Sequence, residues 1–121
     1  MDSKKKVAFV LRHSPYRSDF SQDAIDAVLA AGLYGQSVSV FFMGDGVFQL
    51  LDASSTTRTD FKPLSKKLKA LSLYDIDTTY VCHDSLNARA IEPKQLCIKA
   101  QVMDKPAINR LIRDNAVIVS F

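Results

Sequence analysis

Ser37-Val38-Ser39-Val40-Phe41-Phe42-Met43-Gly44-Asp45-Gly46 is the stretch that decides the architecture. From Ser37 to Met43 it reads as a β-strand, with Val38, Val40 and Phe42 on one face and Phe41 and Met43 on the other. A strand that is apolar on both faces needs cover on both, so it belongs inside a sheet flanked by helices. Gly44-Asp45-Gly46 then predicts a sharp turn into a short helical stretch, Val47 to Leu51, with Asp45 placed to cap its free amides.

The flanking segments repeat this strand-and-helix alternation. Upstream, Lys6 to Leu11 is a continuous apolar run ended by Arg12 and His13, a buried first strand. Ser18 or Asp19 can cap a helix that runs to about Leu33, turning Ile25, Val28 and Leu29 inward, and Gly32 and Gly35 mark its end. Downstream, Asp52 to Asp60 is Ser/Thr-rich and reads as a surface loop, and Pro63 suits the first turn of a helix. That helix is amphipathic, with Leu64, Leu68 and Leu71 on one side and Lys66, Lys67 and Lys69 around the other. Thr78 to Cys82 predicts a third strand, followed by a short helix from about Asp84 to Ala90. Leu96 to Val102 predicts another short strand, and Asp104 caps a helix whose Ala107, Ile108, Leu111 and Ile112 face inward. Ala116 to Phe121 closes as a final apolar strand. Parallel neighbours need crossover helices, so the expected class is α/β, with a mostly parallel sheet of about five strands in one domain over residues 1–121.

Composition narrows the function classes. With 121 residues, 47% hydrophobic and 24% charged, the chain can bury a core without a metal or a disulfide to hold it. No apolar run approaches the roughly 18 residues of a membrane span, and too few apolar residues follow Lys4 to Lys6 for a secretory leader. The expectation is a cytoplasmic protein with no membrane attachment, in which Cys82 and Cys97 are thiols. A formal charge of +3 is too small to signal a nucleic-acid surface. Lys4 to Lys6, and Arg58 with Lys62, Lys66, Lys67 and Lys69, read as solvated faces.

In α/β sheets, ligands and reactive groups gather outside the carboxyl ends of the strands. Four segments are expected there: Arg12 to Arg17, Gly44 to Gly46, Cys82 to Ser85, and the region of Met103. A thiol just before a helix meets unpaired amides that favour the thiolate, to which a protonated His83 could add, so Cys82 is a candidate nucleophile or sulfur carrier. The plainer reading is a small buried residue closing a strand. Cys97, between Leu96 and Ile98, reads as a strand residue, and spacing does not reveal whether it pairs with Cys82. Gly44-Asp45-Gly46 lacks the further glycine of a dinucleotide or phosphate loop and reads as a capped turn. His13 and His83 lack metal-ligand spacing, and no CxxC, HExxH or GxSxG pattern occurs. Asp75 and Asp77 read as a solvated turn. No metal and no cofactor are expected.

The run Val40-Phe41-Phe42-Met43-Gly44-Asp45-Gly46-Val47-Phe48-Gln49-Leu50-Leu51, with Leu73-Tyr74-Asp75-Ile76 and Tyr80-Val81-Cys82 further on, resembles the TusC/DsrF branch of the DsrE-like family. The resemblance extends from Lys6 to Phe121 and is weakest over Asp52 to Asp60. It implies a flavodoxin-like three-layer fold and a place in a heterohexamer beside TusB/DsrH-like and TusD/DsrE-like sister subunits. Such a complex passes persulfide sulfur from a TusA-like to a TusE-like carrier, serving 2-thiolation of the tRNA wobble uridine or cytoplasmic sulfur trafficking. The resemblance puts the essential sulfur-carrying cysteine on the TusD/DsrE-like subunit. It thus makes this chain a non-catalytic assembly subunit, with Cys82 an accessory thiol and direct tRNA binding not expected. Part of the apolar face Val47, Phe48, Leu50 and Leu51 is then a candidate subunit interface as well as core. Two alternatives remain: a sulfurtransferase carrying persulfide on Cys82, and a small-ligand-binding module using the Gly44 to Gly46 turn.

Overall fold

Five parallel strands form one sheet in the order β4-β3-β2-β1-β5, in a computed structural model that describes residues 5–14, 20–51, 65–74, 76 and 78–121. The elements follow as β1 (Lys6–Leu11), α1 (Phe20–Leu33), β2 (Ser37–Phe42), a 3-10 helix (Gly44–Leu50) and α2 (Ser65–Lys69), which runs on as a 3-10 turn (Ala70–Tyr74). Then come β3 (Thr78–Cys82), α3 (His83–Ala88), a 3-10 turn (Pro93–Gln95), β4 (Gln101–Met103), α4 (Lys105–Arg113) and β5 (Val117–Ser120). The expected α/β class and five-strand sheet are what the chain adopts. The proposed caps Ser18 and Asp19, the loop Asp52 to Asp60, Pro63, Leu64, Asp75 and Asp77 lie outside the described residues.

The doubly apolar strands sit where their patterning requires. Val7, Ala8, Phe9, Val10 and Leu11 are all buried, as are Val40, Phe41 and Phe42, and β1 and β2 lie side by side with Phe9 opposite Val40. One face of the sheet carries Val7, Phe9, Leu11, Val38, Val40, Phe42 and Val81. It is covered by Ala24, Ile25 and Val28 of α1, by Val47 and Leu50, by Leu68 and Leu71, and by Leu86 of α3. The other face is thinner: Ala8, Val10, Phe41 and Cys82 pack on Ile108 of α4, with Tyr80, Met43, Met103, Leu111 and Ile112 around them. Phe41 and Tyr80 stack there, their ring centroids 5.0 Å apart. Each fully buried large side chain contributes about 1.5–3 kcal/mol, so the α1 face supplies most of the stability.

The helix ends obey local chemistry. Asp104 accepts the Ala107 N–H at 3.0 Å and caps α4 as expected. The stop of α3 is less usual. Ala90 N–H reaches Asn87 O and Ile91 N–H reaches Leu86 O, the paired bonds of a Schellman motif, with Ala90 at φ 54° where glycine is the common occupant. The helix therefore spans His83–Ala88 rather than Asp84 to Ala90.

Two further sequence expectations are corrected. Asp45 does not cap the 3-10 helix, which starts at Gly44 behind Met43 with no side-chain cap; its carboxylate is taken by Arg89 instead. Leu96 to Val102 is not one strand. After the Pro93–Gln95 turn, Leu96 forms a lone antiparallel bridge to Leu51 and Cys97 N–H donates to Leu50 O at 2.7 Å, so only Gln101–Met103 joins the sheet. Those residues secure the end of the 3-10 helix, and Cys97 is a loop residue.

Candidate functional site

The strand order creates one crevice. β1, β2 and β3 lead to elements packed on the α1 face, whereas β4 leads to α4 on the opposite face. Adjacent β3 and β4, paired at Cys82 and Met103, thus send their chains to opposite sides of the sheet, the switch point at which α/β proteins form clefts. A cavity of about 590 Å³ opens there, lined by Arg12, Met43, Gly44, Cys82, Asp84, Ser85, Arg89, Lys105 and Asn109. Arg12 follows β1, Met43 and Gly44 follow β2, Cys82 ends β3, and Lys105 and Asn109 lie one turn apart on α4.

Backbone geometry holds the walls together. Gly44, at φ +54°, donates its N–H to Ser85 Oγ at 2.9 Å and so joins the turn after β2 to α3. Arg89 reinforces this junction: its Nε and Nη2 donate to Asp45 Oδ1 at 3.1 and 2.9 Å, and Nη1 donates to Ser85 O at 3.1 Å. Its guanidinium carbon also lies 5.9 Å from the centre of the Phe48 ring. On the far side of the same segment Gln49, 2% exposed, donates Nε2 to His13 O at 2.9 Å and ties the 3-10 helix to the loop after β1.

Cys82 stands at the strand end that its sequence position suggests, as the residue preceding α3, but its side chain caps no amide. Its exposure is only 2%, among Ala8, Val10, Phe41 and Ile108, so it forms part of the cavity floor and is not a projecting group. His83 turns outward, with Nδ1 3.8 Å from Asp84 Oδ1 and both side chains more than half exposed. Cys97 packs on the α1 face, across the sheet from Cys82, and neither is in a disulfide. Among the described residues no group of three or more His, Cys, Asp or Glu side chains comes together. Of the apolar face Val47, Phe48, Leu50 and Leu51, Val47 and Leu50 are fully buried in the chain's own core, while Phe48 and Leu51 keep part of their surface. Lys67 of the second basic cluster pairs with Asp26 at 2.9 Å, and Lys69 is exposed; Arg58 and Lys62 lie outside the described residues.

The model of the DsrE/DsrF-like family matches residues 5–121, which takes in every strand and the whole crevice. The chain belongs to the DsrE/DsrF-like family. Within it the chain is similar to a TusC homolog of Vibrio vulnificus (strain CMCP6), 33% identical over 116 residues that cover 96% of this chain and 98% of the relative. It is likewise similar to TusC of Shigella flexneri, 32% identical over 118 residues covering 97% and 99% of the two chains. The crystal structure of the YchN protein of E. coli superposes with a TM-score of 0.80 over 97% of this chain and 99% of that one; at 15% identity this likeness concerns the fold alone. In this DsrE/DsrF-like chain, sequence reasoning reached Arg12, Gly44, Cys82, Asp84 and Ser85 through their places after strands, and missed Arg89, Lys105 and Asn109. Arg89 finds its partner Asp45 forty-four positions away, which no local pattern reveals. Lys105 and Asn109 share a face at i and i+4, a signal that was available once Asp104 was read as a cap.

Among the described residues no helix is long and apolar enough to cross a membrane.

Proposed function

We propose that the chain is a TusC/DsrF-like subunit of a sulfur-relay complex, working mainly by assembling sister subunits. The observation that carries this reading is the likeness to proteins named TusC over nearly the full length of both chains. TusB/DsrH-like and TusD/DsrE-like chains are the sisters it holds, and a persulfide on one of them exchanges sulfur with TusA-like and TusE-like carriers. The complex acts in the cytoplasm, upstream of tRNA 2-thiolation or cytoplasmic sulfur trafficking, and this chain makes no tRNA contact of its own. The covered position of Cys82 supports an assembly role, because transfer between proteins needs an approachable sulfur and this thiol is 2% exposed. Phe48 and Leu51, which keep surface, are the members of the apolar face able to meet a partner. Co-expression with the sister subunits followed by size measurement tests the reading: a stable hetero-oligomer is expected, and a chain that stays monomeric and binds none of them overturns it.

A second reading, persulfide carried on Cys82 itself, is favoured by the place of that residue on the floor of the crevice. Mass spectrometry after incubation with a sulfur donor then shows one added sulfur that Cys82→Ser abolishes; an adduct confined to Cys97 removes this reading. The Gly44 to Gly46 turn has less to offer a ligand, since Gly44 N–H is given to Ser85 and Gly46 N–H to Met43 O.

A further inference from the structure

We propose that the cavity above Cys82 is an anion site that holds a small oxyanion of the sulfate or phosphate kind. Three cationic side chains line it, Arg12, Arg89 and Lys105, against the single carboxylate of Asp84. Arg89 is matched by Asp45, but the ion pairs among the described residues join Lys67 to Asp26, His83 to Asp84, Arg89 to Asp45 and Lys94 to Glu92. None of them includes Arg12 or Lys105, so two cationic residues line one cavity with no carboxylate paired to either among the described residues.

These two charges come from different elements. Arg12 stands at the end of β1 and Lys105 at the first turn of α4, so an anion between them is held from two directions. Neutral donors complete the set: Asn109 lies one turn below Lys105, and Ser85 Oγ, which accepts from Gly44, keeps its hydroxyl proton to donate. Beneath them Met43 and Cys82 form an apolar, polarisable floor, where charge-assisted hydrogen bonds are stronger than in open water. The concave shape between α3 and α4 suits a small ion with several acceptor oxygens, and the site needs no thiolate at Cys82.

The inference is independent of sister-subunit assembly, so its failure leaves that proposal standing. The test is a titration of backbone amide chemical shifts with sodium sulfate and, separately, sodium phosphate, each against sodium chloride at matched ionic strength. Saturating shifts at Gly44 and Ser85 with either oxyanion and not with chloride are expected. Arg12→Gln and Lys105→Gln, both at exposed positions, each weaken the affinity about tenfold. Lys94→Gln, at a surface pair outside the cavity, leaves it unchanged. Shifts that chloride reproduces, or affinity retained in both cavity variants, overturn the proposal.

Discussion

Gly46→Ala tests the packing that brings the 3-10 helix against β1. A Cβ built on Gly46 falls 1.9 Å from Leu11 O and 2.6 Å from Leu11 C, where real Cβ contacts essentially never come under 3.0 Å. The clash is with backbone of a strand whose Leu11 is 0% exposed, so no side chain can swing aside to relieve it. Relief means lifting the 3-10 helix by about 1 Å, and with it Val47 and Leu50, both 0% exposed. Leu11 O also accepts Met43 N–H at 3.0 Å, a bond that the same displacement stretches. Overpacking of this kind costs about 1–3 kcal/mol and a lost hydrogen bond about 1 kcal/mol more, so the expected loss is about 3 kcal/mol. That is a large share of the roughly 5–15 kcal/mol that holds a domain folded, and it lowers Tm by about 10 °C. Urea and thermal denaturation measure it, with Gly35→Ala as the reference. At Gly35 nothing lies within 4 Å of the added Cβ and only the φ of +77° resists, worth about 1 kcal/mol. If Gly46→Ala costs no more than Gly35→Ala, the close-approach argument is wrong.

Three further outcomes follow from the structure. Ala90→Gly stabilises the protein by about 0.5–1 kcal/mol, since the φ of 54° that ends α3 strains alanine and not glycine; a lower urea midpoint would contradict this. Asp104→Ala lowers stability by about 1 kcal/mol through the lost bond to Ala107 N–H, and restoration by Asp104→Ser, which can still cap, separates capping from charge. Cys82→Ser costs about 1–3 kcal/mol because a hydroxyl replaces a thiol among Ala8, Val10 and Phe41, whereas Cys97→Ser, at a half-buried position, costs less in the same denaturation assay; equal losses refute the burial argument.

The sequence was most legible where one segment carried its own structural logic. Val7 to Leu11 and Val40 to Phe42 are apolar on alternate and intervening positions alike, and only a strand covered on both sides satisfies that pattern. Asp104 was readable for the same reason, because a cap and its amide lie three residues apart. What was lost depended on distant partners. Asp45 has the right type and place for a cap, yet a guanidinium forty-four residues on binds its carboxylate in a two-donor grip that outcompetes a short 3-10 end. Leu96 to Ile98 have strand-like composition, but Leu96 N–H turns back to Pro93 O and Cys97 N–H donates to Leu50 O, so the segment bridges to the end of the 3-10 helix at Leu51 rather than to a neighbouring strand. The cavity was legible in half: its strand-end residues follow from topology, while its helix-borne cations depend on α4 crossing to the far face of the sheet.

The pairing of β1 with β5 bears on how the protein is made. Lys6–Leu11 leaves the ribosome roughly 100 residues before Val117–Ser120, which at about 5–20 residues per second is an interval of about 5–20 seconds. Throughout it, the side of β1 that β5 later covers is an open strand edge, a template for intermolecular pairing. Nascent chains stalled before Val117 are therefore expected to crosslink to other chains or chaperones through Val7 to Val10, and release of the full chain to abolish it. The same late arrival sets the crevice: Arg12 N–H donates to Phe121 O and Phe121 N–H to Val10 O, each at 2.8 Å, so the wall that carries Arg12 is fixed only after synthesis has passed Phe121.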